Sequence, residues 1–141
     1  MIFSAFQRED DDSVFTVVKN ISGATIVQGS AVAWSTSSPD GVRASLPTAS
    51  LGLLRGVAAE AIADGTWGKV QVEGFNSYAL VSYTVAITAG ALLVPVATKG
   101  HFVPHSAVAV GTEGLIYAAD TLAGVTAAAA PAKASVFIRC L

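Results

Sequence analysis

Apolar and polar positions alternate strictly through Lys69-Val70-Gln71-Val72-Glu73, which predicts a half-buried strand with valine on one face and polar side chains on the other. Val14-Phe15-Thr16-Val17-Val18-Lys19-Asn20 is rich in the β-branched and aromatic types that suit a pleated surface, and predicts the first strand. Beyond it the text is dominated by Val, Ala, Thr and Gly. Turn signals punctuate it at Ser22-Gly23, Gln28-Gly29, Ser38-Pro39-Asp40-Gly41, Ala63-Asp64-Gly65, Gly74, Ala89-Gly90, Lys99-Gly100, Glu113-Gly114 and Ala123-Gly124. A spacing of about eight to twelve residues between such signals is that of an all-β sandwich or barrel. Two stretches also fit short helical turns. Val57, Ala58, Ala61 and Ile62 fall at helical spacing, and Ala127 to Ala130 have high helix propensity until Pro131 stops them.

The pattern repeats. Ala24-Thr25-Ile26-Val27-Gln28-Gly29-Ser30-Ala31-Val32 resembles Val85-Ala86-Ile87-Thr88-Ala89-Gly90-Ala91-Leu92-Leu93, 61 positions later, and each is followed by a turn ending in glycine, Gly41 or Gly100. Ala58 to Ala63 matches Ala118 to Ala123 at a spacing of 60, and each half closes on an alternating strand, Val70-Gln71-Val72 or Val136-Phe137-Ile138. The expected fold is therefore all-β, a small barrel or β-tulip-like domain of two similar units with at most one or two short helices. Residues 1–13 read as an N-terminal arm and residues 14–141 as a single β domain. The arm holds Phe3 and Phe6 and then Arg8-Glu9-Asp10-Asp11-Asp12, which contains four of the ten acidic residues. A run of that kind marks a solvated segment.

Composition narrows the function classes. The chain has 141 residues, of which 52% are hydrophobic and only 13% charged, about half the charge of an ordinary soluble domain. Disorder of the whole is excluded, because disordered chains are polar and highly charged. A net charge of -2 with scattered basic residues argues against nucleic-acid binding, which needs clustered Lys and Arg to replace counterions. The single cysteine, Cys140, excludes a disulfide scaffold, and the first residues lack the basic start and apolar core of a signal peptide, so synthesis and retention in a reducing cytoplasm are expected. Gly74 to Thr98 carries no charge, but Asn76, Ser77, Gly90 and Pro95 interrupt it, so buried strands are expected rather than a membrane span.

Little in the chain points to catalysis. His101 and His105 would share one face of an extended segment, yet no cysteine or carboxylate lies near them in sequence, and loop histidines are the expectation. Asp10 to Asp12 lack the alternating ligands and glycine of a calcium loop. Cys140 lies beside Arg139, which favours the thiolate modestly, but it has no histidine near it in the chain and reads as a small hydrophobe on a last strand. No phosphate-binding glycine loop occurs. Trp34, Trp67, Tyr78, Tyr83 and Tyr117 could stack on a sugar, but packing is the commoner use of such side chains. No enzyme, cofactor or metal is expected.

The passage Gly52-Leu53-Leu54-Arg55-Gly56-Val57-Ala58-Ala59-Glu60-Ala61-Ile62-Ala63-Asp64-Gly65-Thr66-Trp67-Gly68-Lys69-Val70-Gln71-Val72-Glu73-Gly74, with Ile87-Thr88-Ala89-Gly90-Ala91-Leu92-Leu93 and Ala97-Thr98-Lys99-Gly100, resembles the capsid decoration, or head cement, proteins of tailed bacteriophages. The resemblance covers about residues 21–103. It implies a β-barrel or β-tulip, a homo-oligomer with a trimer favoured over a dimer, and docking on the major capsid protein at the outer surface of an expanded head. It also implies an arm that orders on the shell, which makes Phe3, Phe6, Arg8, Glu9, Asp10, Asp11 and Asp12 the candidate capsid contacts. The alternatives are a tail or fibre β-domain of a virion and a carbohydrate-binding β-sandwich using Trp34, Trp67 or Tyr78.

Overall fold

Alternation and turn text produce nine strands in a computed structural model, which describes residues 13–37, 40–47, 53–82, 86–105, 116–122 and 130–140. They are β1 (Val14–Asn20), β2 (Ala31–Trp34), β3 (Arg43–Ser45), β4 (Leu54–Ala58), β5 (Trp67–Val81), β6 (Leu93–Pro95), β7 (Phe102–Pro104), β8 (Ile116–Ala118) and β9 (Ala132–Arg139). The first strand has the expected bounds. The helical reading of Val57 to Ile62 is overturned. These residues are β4 and an isolated bridge, because β4 pairs on one side with β2 and on the other with β5, and two sheet neighbours outweigh a weak local preference. Ala127 to Ala129 lie outside the described residues, and Ala130 precedes β9 without helical structure.

The first five strands close on themselves. β1 pairs with β3 in parallel, β3 with β2, β2 with β4, β4 with β5, and β5 returns antiparallel to β1, a five-stranded barrel. Closure gives each strand of this unit a neighbour on both sides. The remaining strands repeat the circuit. β5 pairs in parallel with β7, β7 with β6 and β9 with both β8 and β5, while the bridge between Leu92 and Tyr117 joins the start of β6 to β8.

The sequence repeat is structural, register by register. Ile26 and Ile62 exchange backbone hydrogen bonds of 3.0 and 2.8 Å, and Ile87 and Leu122 exchange the equivalent pair at 2.8 and 2.7 Å. Val57 and Ala58 face Gln71 and Val70, just as Tyr117 and Ala118 face Phe137 and Val136. Asn20 lies beside Ala44 in parallel pairing, as Val81 lies beside Phe102. The two units differ locally: a Cβ on Gly68 would collide with the Ile62 side chain, whereas its counterpart Ala134 carries one and is buried.

One strand serves both units. β5 is 15 residues long, about 50 Å at the usual rise and well beyond the common strand length. Its first half pairs with β1 and β4, and its second half pairs with β9 and β7. Register shifts between Val14 and Phe15 and between Asn76 and Ala79 mark the change of barrel. The buried residues of both units form one cluster, from Val18, Ile26 and Val70 through Ile87, Phe102 and Ile138. No helix among the described residues is long and apolar enough to cross a membrane.

The barrels meet along a defined junction. Leu80 N–H donates to Gly29 O at 2.9 Å, Ala31 N–H to Gly100 O at 2.7 Å, and Thr98 N–H to Pro47 O at 2.9 Å. Gln71, expected on the polar outer face of its strand, is instead 2% exposed. The second half of the same strand covers it: Asn76 Nδ2 donates to Gln71 Oε1 at 2.8 Å, Tyr78 O–H reaches the same oxygen at 3.3 Å, and Gln71 Nε2 donates to Phe75 O at 2.8 Å. Saturated hydrogen bonding is what makes this polar burial tolerable.

Candidate functional site

The strongest signal on the surface is apolar. Phe15 (49% exposed) and Val17 (53%) face outward on β1, Trp67 (57%) on the start of β5, and Phe137 (51%) on β9. Their exposure follows from alternation, since Phe137 separates the buried Val136 and Ile138, and a period of two sends it out. Phe137 pairs with Phe75 on one side and Tyr117 on the other. The Phe75 and Phe137 rings meet edge to face, with centroids 5.7 Å apart and an interplanar angle of 64°. A band of three aromatic side chains therefore crosses β5, β9 and β8 on the outside of the second barrel. Such side chains offer large contact area at low entropic cost and are enriched at interfaces. The Val136-Phe137-Ile138 alternation carries this signal in the sequence, since a period of two sets Phe137 opposite its two apolar neighbours.

The sequence candidates fare differently. Phe3, Phe6, Arg8, Glu9, Asp10, Asp11 and Asp12 lie outside the described residues, as does Tyr83. His101 and His105 flank β7, and their backbones are tied to β6, His101 O accepting from Val96 N–H and His105 N–H donating to Leu92 O. Burial, aided by the Lys99 charge, holds the His101 pKa below its ordinary value, so the ring is neutral at pH 7. Among the described residues no three His, Cys, Asp or Glu side chains gather as a metal site would require. Tyr78 is committed to the Gln71 junction.

Trp34 lies half-buried at the end of β2, where the Arg55 guanidinium stands 5.0 Å from its ring centroid, a cation–π contact. With Ser35, Thr36, Gly41, Arg43 and Leu53 it borders a cavity of about 360 Å³. Arg43 is held by Asp40 at 3.2 Å, and two backbone N–H groups, of Arg43 and Val42, hold the Asp40 carboxyl below its usual range. Trp34 and Trp67 stand on strands that do not pair with each other.

Cys140 is the small buried hydrophobe expected, packed in the core just after β9. Its thiolate is suppressed rather than favoured. Burial pushes the thiol up to about 12, and the opposing charge comes from Arg55, whose Nη1 reaches Cys140 O at 3.4 Å, rather than from Arg139. Alkylation by iodoacetamide at pH 8 should be about a thousandfold slower in the folded protein than in urea, because the thiolate is the nucleophile. A folded rate within tenfold of the unfolded one would refute this. The unfolded thiol ionises near pH 8.5, so the folded chain keeps a proton that the unfolded chain loses. This contribution to stability is whole below about pH 8.5 and falls by about 1.4 kcal/mol per pH unit up to the folded value. Cys140→Ala should remove that slope in urea titrations between pH 8 and 11.

No protein-family model matches this chain, and no curated protein matches it.

Proposed function

We propose that the protein is a structural virion component that binds the outside of a phage head as an oligomer and stabilises the expanded shell. The observation that carries this reading is the set of half-exposed Phe15, Val17, Trp67 and Phe137 on a chain only 13% charged. A monomer has no use for so many outward aromatic and β-branched side chains, whereas an assembly buries them. The resemblance over residues 21–103 supports the same reading and supplies the partner, the major capsid protein.

The physical requirement fits the fold. A cement protein performs no reaction; it spans subunit boundaries so that internal pressure must break many contacts together. A closed barrel suits the task because it offers faces rather than edges and does not polymerise by strand addition. In this reading Phe3 and Phe6 anchor the arm to the shell while Arg8 to Asp12 form its polar rim, and binding orders the arm at an entropic cost.

Immunogold labelling of particles from cells that produce the chain tests the proposal. Label over the head surface is expected. Label confined to the tail or fibres would assign the chain there instead, and unlabelled particles would overturn the virion reading. Deleting residues 2–12 is expected to weaken head binding about tenfold in co-sedimentation, and unchanged binding would remove the arm from the mechanism.

A further inference from the structure

The junction between the two barrels covers one face of the first barrel and leaves the equivalent face of the second uncovered. On the first barrel, Gly29, Ser30, Ala31, Pro47 and Gln71 are all buried against the second. The structural repeat maps these positions onto Gly90, Ala91, Leu92, His105 and Phe137, which are half-buried or exposed. A Cβ on Gly29 would strike the Tyr78 carbonyl, whereas nothing stands within 4 Å of one on Gly90. The uncovered face is also the more apolar of the two: Ala91 takes the place of Ser30, Leu92 of Ala31 and Phe137 of Gln71.

The covering face shows the converse asymmetry. Asn76, Tyr78 and Gly100 of the second barrel lie on the first. Their counterparts in the first barrel are Thr16, Val17 and, by the register that sets Phe102 against Ala44, Val42 beside Gly41. Val17 is 53% exposed, and a Cβ on Gly41 would meet nothing within 4 Å. In linear repeat arrays the terminal units normally carry polar outer faces, since an apolar end invites a further repeat. Among the described residues neither end is capped in that way.

We infer that copies of this chain associate head to tail, the Leu92 and Phe137 face of one second barrel taking the Thr16, Val17 and Gly41 face of the next copy's first barrel. The contact brings together in trans the side-chain faces that meet within the chain, with the Gln71 and Tyr78 polar pair replaced by the apolar pair Phe137 and Val17. The interface is heterologous, so it builds a closed ring or an open row according to the rotation between copies. Lys19 stands where Leu80 does in the second barrel, and its N–H is bonded to Val42 O at 2.9 Å, so the contact between copies rests on side chains and lacks the Leu80 to Gly29 hydrogen bond. The inference deepens the self-association within the proposed function, but it rests on the intrachain junction and requires no capsid.

Cross-linking tests it directly. Val17→Cys and Phe137→Cys proteins are treated with a short bismaleimide, separately and mixed, with the parent protein as a control for the buried Cys140. The mixture is expected to yield covalent dimers at about tenfold the level of either variant alone. Either single variant cross-linking as well as the mixture would indicate a two-fold symmetric contact and overturn the head-to-tail arrangement. A mixture no better than the parent would overturn the interface. Sedimentation velocity supplies a second reading: Phe137→Lys and Leu92→Lys should each weaken association about tenfold while leaving the circular dichroism of the fold unchanged. A parent that is already monomeric at high concentration would refute the inference. Cross-linking without head labelling would leave this contact standing while removing the capsid reading, so the two failures are distinct.

Discussion

Gly56→Ala is expected to destabilise the protein by about 3–5 kcal/mol or to prevent folding. Gly56 lies in β4 with a φ of 156°, outside the range L side chains favour, and a Cβ there would run into the Gln71 carbonyl oxygen, with Val70 Cγ1 at 3.0 Å. That obstacle is backbone, and it belongs to the strand paired with β4 at Val57 and Gln71. Relief therefore requires separating β4 from β5, which opens the first barrel. The control is Gly65→Ala: Gly65 has a φ of 75° but open space around it, so only the left-handed preference is lost, about 1–2 kcal/mol. Urea titration of both variants measures the difference. A Gly56→Ala protein within 1 kcal/mol of the parent would show that β4 and β5 can separate locally without opening the barrel. The counterpart of Gly56 in the second barrel is Ile116, fully buried, so the close approach is not a demand of the repeat. It arises where β5 passes from one barrel to the other and draws Gln71 inward.

Asn20→Ala is expected to cost about 2–4 kcal/mol. Asn20 is fully buried at the end of β1, where its Nδ2 donates to Ala24 O at 2.7 Å and Ile62 O at 2.8 Å, and its Oδ1 accepts from Ser22 N–H at 2.8 Å. It thus ties the loop after β1 to the Ile26 and Ile62 bridge. Truncation leaves the Ser22 N–H without its acceptor and removes one of two donors from each of the Ala24 and Ile62 carbonyls, which keep Ser22 Oγ and Ile26 N–H. Asn20→Leu separates this from space-filling, because leucine restores volume but no hydrogen bond. Thermal unfolding should place both variants well below the parent, and a near-native Asn20→Leu would reduce Asn20 to packing. In the second barrel Val81 occupies the same place without polar atoms, which makes the requirement specific to the first loop.

Several of these features could be read in the chain before folding. The bounds of β1, the alternation at Lys69 to Val72, and the paired recurrence of Ile26 with Ile87 and of Ala58 with Ala118 all follow from local text, because β-branched side chains and a period of two need no distant partner. The outward Phe137 was equally legible from its neighbours. Val57 to Ile62 misled because alanine-rich text fits a helix until strands on both sides claim it. The continuity of β5 was hidden by Gly74, which reads as a turn but is the bend at which one strand changes barrel.

Composition and periodicity thus determined which residues form strands, which way most of them face, and that two similar units are present, since each of these is set by bonds and side chains within a few positions. Partnership was decided only in three dimensions. Gln28-Gly29-Ser30 and Ala89-Gly90-Ala91 are alike as text, yet one turn is buried by the second barrel and the other is left uncovered. The same holds for Cys140, whose thiol is governed first by burial and then by the charge of Arg55, far away in sequence, rather than by the charge of the adjacent Arg139. The physical reason is common to both: an array of two repeats has one internal junction and two ends, and no local pattern can state which copy of a repeated face will find a neighbour within its own chain.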